Sequence, residues 1–381
     1  MKQTKHTSAR RGTYHLEWFI NSRCDYTCRR CGSAADQQPA PDLPLDGCLE
    51  ALQSFVQFAR DNGRDATIAF YPRQAEFTET FPKTLAAAHE FRKQGLLKQI
   101  KTVTRGDVPH EKILLFQKSG VDACQLTIDG LEQVQDTLRR SGSFQNTLRA
   151  FREARAAGIH VIALIILVRF NTPQLANTMQ LLLEEGFEDV ILQVGIRTEP
   201  GRYPSIAGTP SKPEDPDDLW NQSLTAAEYR SLLMDALRFL DSIGDRGRDF
   251  RAKLIRSHFM FARLFHELGR WEEYKELRGD GSDGDHRLTF QLRPTGKVFV
   301  QRDAIALGSF PGGSFQKMYE SSPALKLLDD DARLMRYRSE NQKEFVKCRT
   351  CPVATYCQPE LVAASGTRLF LYPDAHCWVA C

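Results

Sequence analysis

The chain of 381 residues lacks the features that mark membrane, exported or nucleic-acid-binding proteins. It has no apolar run long enough to span a bilayer, and its start lacks the apolar stretch of a signal peptide. Its formal net charge is only +3, which gives no argument for a nucleic-acid partner. We therefore expect a cytoplasmic globular protein without membrane or nucleic-acid partners. Its oligomeric state is not indicated.

Cysteine is plentiful, with ten residues, and without export signals this number favours metal or redox chemistry over disulfides. Cys24, Cys28 and Cys31 form a Cys-x3-Cys-x2-Cys run directly after a short apolar stretch. An ordinary iron–sulfur cluster has four thiolate ligands, so three leave one iron open to a substrate or cofactor. The alternative is part of a zinc site, which normally closes with four Cys or His ligands.

Short β-like runs alternate with helical patterns up to about residue 200, which predicts a parallel β/α architecture. Its ligand site should lie at the carboxyl ends of the strands, where the cysteine loop begins. The predicted strands are Tyr14–Asn21, Ala66–Tyr71, Ile100–Thr104, Ala123–Ile128, His160–Val168 and Asp189–Gly195. The predicted helices are Leu45–Asn62, Phe81–Gly95, Glu111–Ser119, Ser143–Ala157 and Thr172–Glu185, with later helices near Thr225–Ser242 and Arg251–Arg278. A hairpin is expected from Leu288 around Pro294–Gly296.

The cysteine loop after a first strand resembles the radical S-adenosylmethionine (SAM) superfamily. The end of the fourth strand, Thr127-Ile-Asp129-Gly130, and the following Arg139 resemble a pattern of its SPASM-type maturases. The resemblance implies an α/β fold with a partial (β/α)6 barrel. It also implies a 4Fe-4S cluster on the three cysteines, SAM on the open iron, and an electron donor such as flavodoxin or ferredoxin.

The same resemblance implies which residues contact SAM. Thr127 would hydrogen-bond SAM beside Asp129, and Arg139 would pair with its carboxylate, which suits a planar guanidinium. On their own, Asp129-Gly130 reads equally as a turn and Arg139 as a solvated helix residue. Polar residues at the ends of the fifth and sixth strands either touch the ligand or cap the following helix: Arg169, Asn171 and Gln193.

Two positions depart from the family pattern. The usual Gly-Gly-Glu-Pro segment after the second strand is replaced by a stretch from Phe70 to Glu76, where Glu76 or carbonyls near Tyr71 would contact the SAM amino group. Arg30 stands where an aromatic residue often packs on adenine, and its guanidinium offers a stacking surface instead. These departures suggest a divergent subgroup.

The last 34 residues hold five cysteines. Their spacing resembles the auxiliary-cluster region of SPASM and twitch domains, which implies one auxiliary 4Fe-4S cluster, with Cys381 as a substitute for the last ligand. A second auxiliary cluster is not expected, because Gln301 and Leu361 occupy two of its ligand positions. A four-thiolate zinc site is the alternative. The expected ligands are Cys348, Cys351, Cys357 and Cys377.

The expected organisation has four parts: a flexible tail (1–13), a radical SAM partial barrel (14–204), a linker and helical insert (205–285), and a twitch- or SPASM-like auxiliary-cluster domain (286–381). The expected activity is reductive cleavage of SAM and hydrogen abstraction from a peptide or peptide-like natural product, giving a cross-link, an oxidation or a sulfur insertion. One alternative is a twitch-type dehydrogenase or sulfur-inserting enzyme for a sugar or nucleoside. Another is a non-catalytic zinc-binding β/α module.

Overall fold

The structure is a computed structural model. It describes residues 12–21, 41–72, 80–187, 189–194, 224–244, 250, 253–254, 260–278, 287–300, 305–330, 333–334, 336–337, 340, 349, 351–353, 360–364 and 368–372.

A mixed sheet of nine strands organises the described residues, in the order β6-β5-β4-β3-β2-β1-β7-β8-β9. Its first seven strands in this order run parallel, and β8 and β9 are antiparallel to their neighbours. A separate antiparallel pair, β10 and β11, lies near the C-terminus. The strands are β1 (Thr13–Trp18), β2 (Asp65–Phe70), β3 (Gln99–Val103), β4 (Ala123–Thr127), β5 (His160–Leu167), β6 (Asp189–Val194), β7 (Arg287–Leu292), β8 (Lys297–Val300), β9 (Ile305–Ser309), β10 (Glu360–Ala364) and β11 (Arg368–Tyr372).

Helices alternate with β1 to β6, which confirms the predicted α/β fold with a partial barrel of six β/α units. The helices in this region are α1 (Leu45–Asp61), α2 (Thr80–Lys93), α3 (His110–Lys118), α4 (Glu132–Leu138), α5 (Ser143–Ala156) and α6 (Leu175–Glu185). Beyond β6 the described helices are α7 (Ala226–Ile243), α8 (Met260–Glu267), α9 (Trp271–Arg278), α10 (Phe315–Ser321) and α11 (Pro323–Leu328). In the part of the chain that the structure describes, every helix is too short or too polar to cross a membrane.

The core lies between the sheet and its helices. On β1, Tyr14 turns to this side, and its ring stacks on Phe58 of α1 with centroids 4.7 Å apart. Because side chains alternate along a strand, His15 and Glu17 face the opposite, inner side of the barrel. The nearly continuous aliphatic run of β5 is buried over most of its length, as expected for a strand covered on both faces.

The C-terminal segment continues the barrel sheet. Strand β7 pairs in parallel with β1, with Glu17 opposite Gln291, and β7 and β8 form the predicted hairpin. Gly296 in the hairpin turn has φ +83°, and a Cβ there would lie 2.2 Å from the Phe310 carbonyl oxygen. Only glycine fits this turn, which brings the hairpin onto the edge of the barrel.

Three local predictions differ from the structure. The single helix expected over Arg251–Arg278 contains a break, because Gly269 (φ +68°) ends α8 before α9 begins. Helix α4 was not predicted; it is a short helix between β4 and α5. The helix expected over Thr172–Glu185 starts with a 3-10 turn at Thr172–Gln174, which contains Pro173, and continues as α6 from Leu175.

Candidate active site at the carboxyl edge of the barrel

The carboxyl ends of the parallel strands form one edge of the barrel, and the cysteine loop begins there. The described chain leaves β1 through Asn21 and is described again from residue 41. Beyond the loop, the Leu43 amide donates a hydrogen bond of 2.6 Å to the Pro294 carbonyl of the β7–β8 turn. Both ends of the loop therefore lie beside this edge. Cys24, Cys28, Cys31 and Arg30 lie outside the described residues.

A buried ion pair lies immediately after β4. The Arg139 Nε donates to the Asp129 Oδ2 over 2.8 Å, and both side chains are almost completely buried. The Asp129 Oδ1 accepts a hydrogen bond of 3.1 Å from the Ile166 amide of β5. Arg139 also donates from Nη1 to the Arg105 carbonyl over 3.2 Å. The pair thus connects the loops and strands around the ends of β3, β4 and β5.

Asn171 joins the same network. Its Nδ2 donates to the carbonyls of Asp129 and Ile166, each over 2.8 Å, and its Oδ1 accepts from the Val168 amide over 2.9 Å. The Thr127 hydroxyl donates to the Thr104 carbonyl over 3.0 Å at the end of β3. Four of the residues expected from the sequence are therefore brought together at one edge of the sheet.

Gln135 of α4 is a further member of the network and was not among the residues expected from the sequence. It is fully buried; its Oε1 accepts from the Asp129 amide over 2.7 Å, and its Nε2 donates to the Thr127 carbonyl over 3.3 Å. Next to it, the Asp136 carboxylate accepts from the Gly142 amide over 2.6 Å and from the Phe144 amide over 2.9 Å. Gln135 and Asp136 therefore fix the backbone on both sides of Arg139. The signal in the sequence that could have indicated them is an amide and a carboxylate side chain in succession, Gln135-Asp136, shortly after β4.

The other expected SAM contacts are not part of this network. Arg169 forms an exposed two-point ion pair with Glu228 of α7 (2.8 and 2.9 Å), and this guanidinium is the main cause that lowers the pKa of Glu228 to about 2. Gln193, the residue before the last of β6, is exposed. Glu76 lies outside the described residues.

The structure describes only one of the cysteines that are expected to bind a cluster in the tail. Cys351 is half-buried and packs against the core, while Cys348, Cys357, Cys377 and Cys381 lie outside the described residues. Within the described ranges, no three His, Cys, Asp or Glu side chains are grouped to hold a metal ion.

Cys48 and Cys124, in contrast, are core residues. Burial raises the pKa of Cys48 to about 12 and that of Cys124 to about 11, so both stay as thiols.

Residues 18–182 match the sequence model of the Radical SAM superfamily. This part of the chain therefore has the sequence pattern of a radical SAM domain. The family implies a 4Fe-4S cluster and SAM as cofactors. No curated protein matches the chain.

Solved structures with similar folds cover most of the chain. Native anSMEcpe with bound AdoMet has a TM-score of 0.60 at 13% identity, covering 89% of this chain and 88% of that chain. The same protein with AdoMet and the Kp18Cys peptide gives 0.61 at 13% identity, covering 96% and 94%. Streptococcus suis SuiB bound to S-adenosylmethionine gives 0.53 at 11% identity, covering 95% and 74%. At these identities the likeness shows a shared fold.

The donor set of this edge fits the implied cofactors. A loop with three thiols begins where β1 ends, which suits a cluster with one open iron. Beside it lies a buried polar network, and buried polar groups of this kind are ordered before any ligand arrives. SAM carries an ammonium and a carboxylate, and both call for such fixed polar groups.

Proposed function

We propose that this protein is a radical SAM enzyme that tailors a peptide or peptide-like substrate. In this proposal Cys24, Cys28 and Cys31 hold a 4Fe-4S cluster at the carboxyl edge of the barrel. When bound and reduced, the cluster would supply the electron for cleavage of SAM to a 5′-deoxyadenosyl radical, which would take a hydrogen atom from the substrate. Electrons would come from a flavodoxin or ferredoxin.

One observation carries the proposal: the buried network of Asp129, Arg139 and Asn171 lies at the edge of the sheet where the three-cysteine loop begins. A buried ion pair is expensive to assemble from solvent and adds little net stability. A network of this kind at a ligand-binding edge therefore suggests a role in positioning a charged cofactor.

We assign the following roles to the chain. Asp129 holds the Arg139 guanidinium in a fixed orientation, and the guanidinium would pair with the SAM carboxylate. Thr127 and Asn171 hold the ends of β3, β4 and β5 at constant spacing, so that the site changes little when SAM binds. Arg30, Glu76, Arg169 and Gln193 remain proposed SAM contacts from other sides.

The tail is proposed to hold one auxiliary 4Fe-4S cluster on Cys348, Cys351, Cys357 and Cys377. It would accept an electron, bind substrate or give up sulfur. Peptide tailoring is supported by the similar fold of anSMEcpe, whose solved structure contains a peptide beside AdoMet. A small sugar or nucleoside substrate is the competing possibility for the same chemistry.

The test is the iron and acid-labile sulfide content after anaerobic reconstitution. Wild type should hold about eight irons, and Cys24/Cys28/Cys31→Ala about four, because each end of the chain would hold one four-iron cluster. About four irons in the wild type, all lost in the variant, would make the tail a zinc or thiol site. No iron, with zinc present instead, would favour a zinc-binding β/α module and contradict the proposal.

A further inference from the structure

Glu17 is a carboxylate on the inner face of the barrel, close to the edge where the cysteine loop begins. It is the last residue but one of β1 and is half-buried. Tyr14 packs on α1 from the other face of the strand, so Glu17, three positions further on, faces inwards. The register aligns Glu17 with Gln291 of β7, and the side chains of aligned neighbours lie on the same face. This inward-facing group was not expected from the sequence.

Neutral donors hold the Glu17 carboxylate in place. The Tyr71 hydroxyl donates to its Oε1 over 3.2 Å, and the Gln291 Nε2 donates to its Oε2 over 2.8 Å. In the ranges that the structure describes, no lysine or arginine forms an ion pair with Glu17. The negative charge is therefore fixed in position without a cation in contact. A charge that is partly removed from water normally has such a partner.

Gln291 adds a second acceptor beside this carboxylate. Its side chain is only 8% exposed, and its Oε1 finds no hydrogen-bond donor among the described residues. The orientation of the amide is fixed, because a carboxylate only accepts and the amide nitrogen must therefore face it. The oxygen of the same amide group is left without a donor next to Glu17. A buried acceptor in this state costs stability unless a ligand supplies the donor.

Tyr71 borders the site and offers a third acceptor. Its hydroxyl proton is donated to Glu17, while the phenolic oxygen keeps lone pairs for a donor. Burial and then the charge of Glu17 raise the pKa of Tyr71 well above its usual range, so the hydroxyl keeps its proton. The Tyr71 ring stacks on Phe19 with centroids 4.7 Å apart, and the Arg293 guanidinium lies 4.1 Å from the centre of the Phe19 ring. This stack holds Tyr71 against Glu17.

A small residue separates Glu17 from Lys101, a cation on the same face. Glu17 is aligned with Ala69 of β2, and Ala69 is aligned with Lys101 of β3. With neighbouring strands about 4.8 Å apart, the Cα atoms of Glu17 and Lys101 are separated by about 10 Å. Lys101 donates from Nζ to the Gln125 Oε1 of β4 over 2.7 Å, on the side away from β1. Lys101 therefore leaves the Glu17 carboxylate available to a ligand.

We propose that Glu17, Gln291 and Tyr71 form a binding site for a primary ammonium group of the substrate. An ammonium has three N–H donors and no acceptor, which matches three acceptors of which one is charged. Coulomb energy falls with distance, so a carboxylate in hydrogen-bond contact outweighs the Lys101 ammonium about 10 Å away. Arg287 is exposed at the amino end of β7, four residues before Gln291, where water screens its charge.

The substrate role rests on the proposed function; the ammonium site itself does not. The amine belongs either to a side chain or to the end of a peptide chain, because both present the same ammonium group. The site accepts hydrogen bonds and carries negative charge, so it disfavours a carboxylate or a phosphate at the same place.

The experiment is saturation-transfer NMR on the reconstituted full-length protein at constant ionic strength. The probes are N-acetylcadaverine for a side-chain amine and alaninamide for a chain-terminal amine. Their neutral counterparts are N-hexylacetamide and N-acetylalaninamide. We expect wild type to bind at least one amine about tenfold or more tightly than its neutral counterpart, because a hydrogen bond to a charged group is the stronger kind. Preference for N-acetylcadaverine indicates a side-chain amine, and preference for alaninamide a chain end.

Glu17→Gln is the key variant, because it removes the charge and keeps the shape of the side chain. The preference for the amine should disappear in Glu17→Gln and persist in Glu184→Gln. Glu184 is a matched control, since it is an exposed carboxylate that also accepts from a glutamine amide, the Gln180 Nε2, over 2.6 Å. Gln291→Met removes the unpaired acceptor and should weaken binding of the amine several-fold, which tests the site also if Glu17→Gln does not fold.

The comparison of amine and neutral probe in the wild type depends on no variant. No preference for either amine there, or a preference retained in Glu17→Gln or unchanged in Gln291→Met, would overturn the proposal. Binding of the probes does not require SAM cleavage. An amine preference without 5′-deoxyadenosine formation would therefore leave the ammonium site standing and contradict the proposed function, and 5′-deoxyadenosine formation without an amine preference would do the reverse.

Discussion

Arg139 and Asp129 form a buried ion pair, with the Arg139 Nε 2.8 Å from the Asp129 Oδ2. Asp129 lies two residues beyond β4, and Arg139 is the C-cap residue of α4, so the pair joins the two ends of the segment that contains α4. The Asp129 Oδ1 also holds the Ile166 amide of β5. This one carboxylate therefore links Arg139 to β5 at the carboxyl edge.

Asp129→Asn should lower the free energy of unfolding by about 3–5 kcal/mol, because it leaves the Arg139 guanidinium buried without its counter-charge. Urea unfolding measures the loss. The double variant Asp129→Asn/Arg139→Gln should lose clearly less than the sum of the single variants, since neither charge is then left alone. Additive losses would contradict a coupled pair.

The matched control is an exposed ion pair. Arg238→Gln removes the partner of Asp235 on α7, where both side chains are mostly in solvent. Its cost should stay below about 1 kcal/mol. An equal cost at both pairs would mean that burial of the Asp129 pair is unimportant for stability.

Asp329 connects the C-terminal segment to the first strand. Its Oδ2 accepts from the Tyr14 hydroxyl over 2.7 Å and from the Tyr319 hydroxyl over 2.9 Å, and its Oδ1 lies 3.3 Å from an Arg64 nitrogen. Asp329→Ala should cost about 2–4 kcal/mol, because the hydroxyl of buried Tyr14 loses its acceptor. Asp330→Ala, next in the chain, removes only one cap to the Arg333 amide and should cost about 1 kcal/mol. Chemical denaturation compares them, and similar costs would show that Asp329 does not secure this contact.

The largely buried ammonium group of Lys101 should lower the free energy of unfolding at neutral pH. Its folded pKa of about 8 lies below the unfolded value of about 10.4, so between these values the unfolded chain binds more protons and stability rises with pH. At pH 7 both states are protonated, and the cost of burying the charge is fully present. Lys101→Met should therefore raise the free energy of unfolding at pH 7, on the order of 1–3 kcal/mol, with the gain shrinking towards pH 10.5.

Urea unfolding of Lys101→Met between pH 7 and pH 10.5 measures that gain, and Lys98→Met, at an exposed position, should show none. A Lys101→Met protein that is less stable than wild type at pH 7, or a difference independent of pH, would contradict a desolvated ammonium in the barrel.

Apart from α4, the strand and helix pattern up to residue 194 could be predicted from the sequence, because apolar periodicity and glycines at helix ends encode it locally. Strand β5 is an example: its aliphatic run, rich in β-branched residues, is typical of a strand covered on both faces. The pairing of β7 with β1 could not be predicted, since it joins residues more than 270 positions apart. A local pattern carries no information on which strands become neighbours.

At the site, residue types could be predicted but not their partners. Thr127, Asp129, Arg139 and Asn171 were selected individually, yet Arg139 is held by Asp129 in the structure, a contact that depends on how α4 folds back. The contact of Lys101 with Gln125 could not be predicted either, because only the sheet order makes β3 and β4 neighbours.

Removal of the tail cysteines distinguishes the role of the proposed auxiliary cluster from that of the proposed N-terminal cluster. Cys348/Cys351/Cys357/Cys377→Ala should retain about four irons and still form 5′-deoxyadenosine from SAM, because in our proposal the N-terminal cluster alone would supply the electron for the cleavage. Modification of the substrate should be lost. Iron analysis and product chromatography after reduction with dithionite check this. Zinc at one equivalent in the wild type, absent in this variant, would contradict an auxiliary iron–sulfur cluster.

The most direct test of the radical SAM assignment is the formation of 5′-deoxyadenosine by the anaerobically reconstituted protein with SAM and dithionite. We predict that wild type forms it, that Cys24/Cys28/Cys31→Ala does not, and that the tail variant, with a larger number of cysteines removed, still does. Absence of 5′-deoxyadenosine from wild type with a full complement of iron, or equal formation by the Cys24/Cys28/Cys31→Ala variant, would contradict the account.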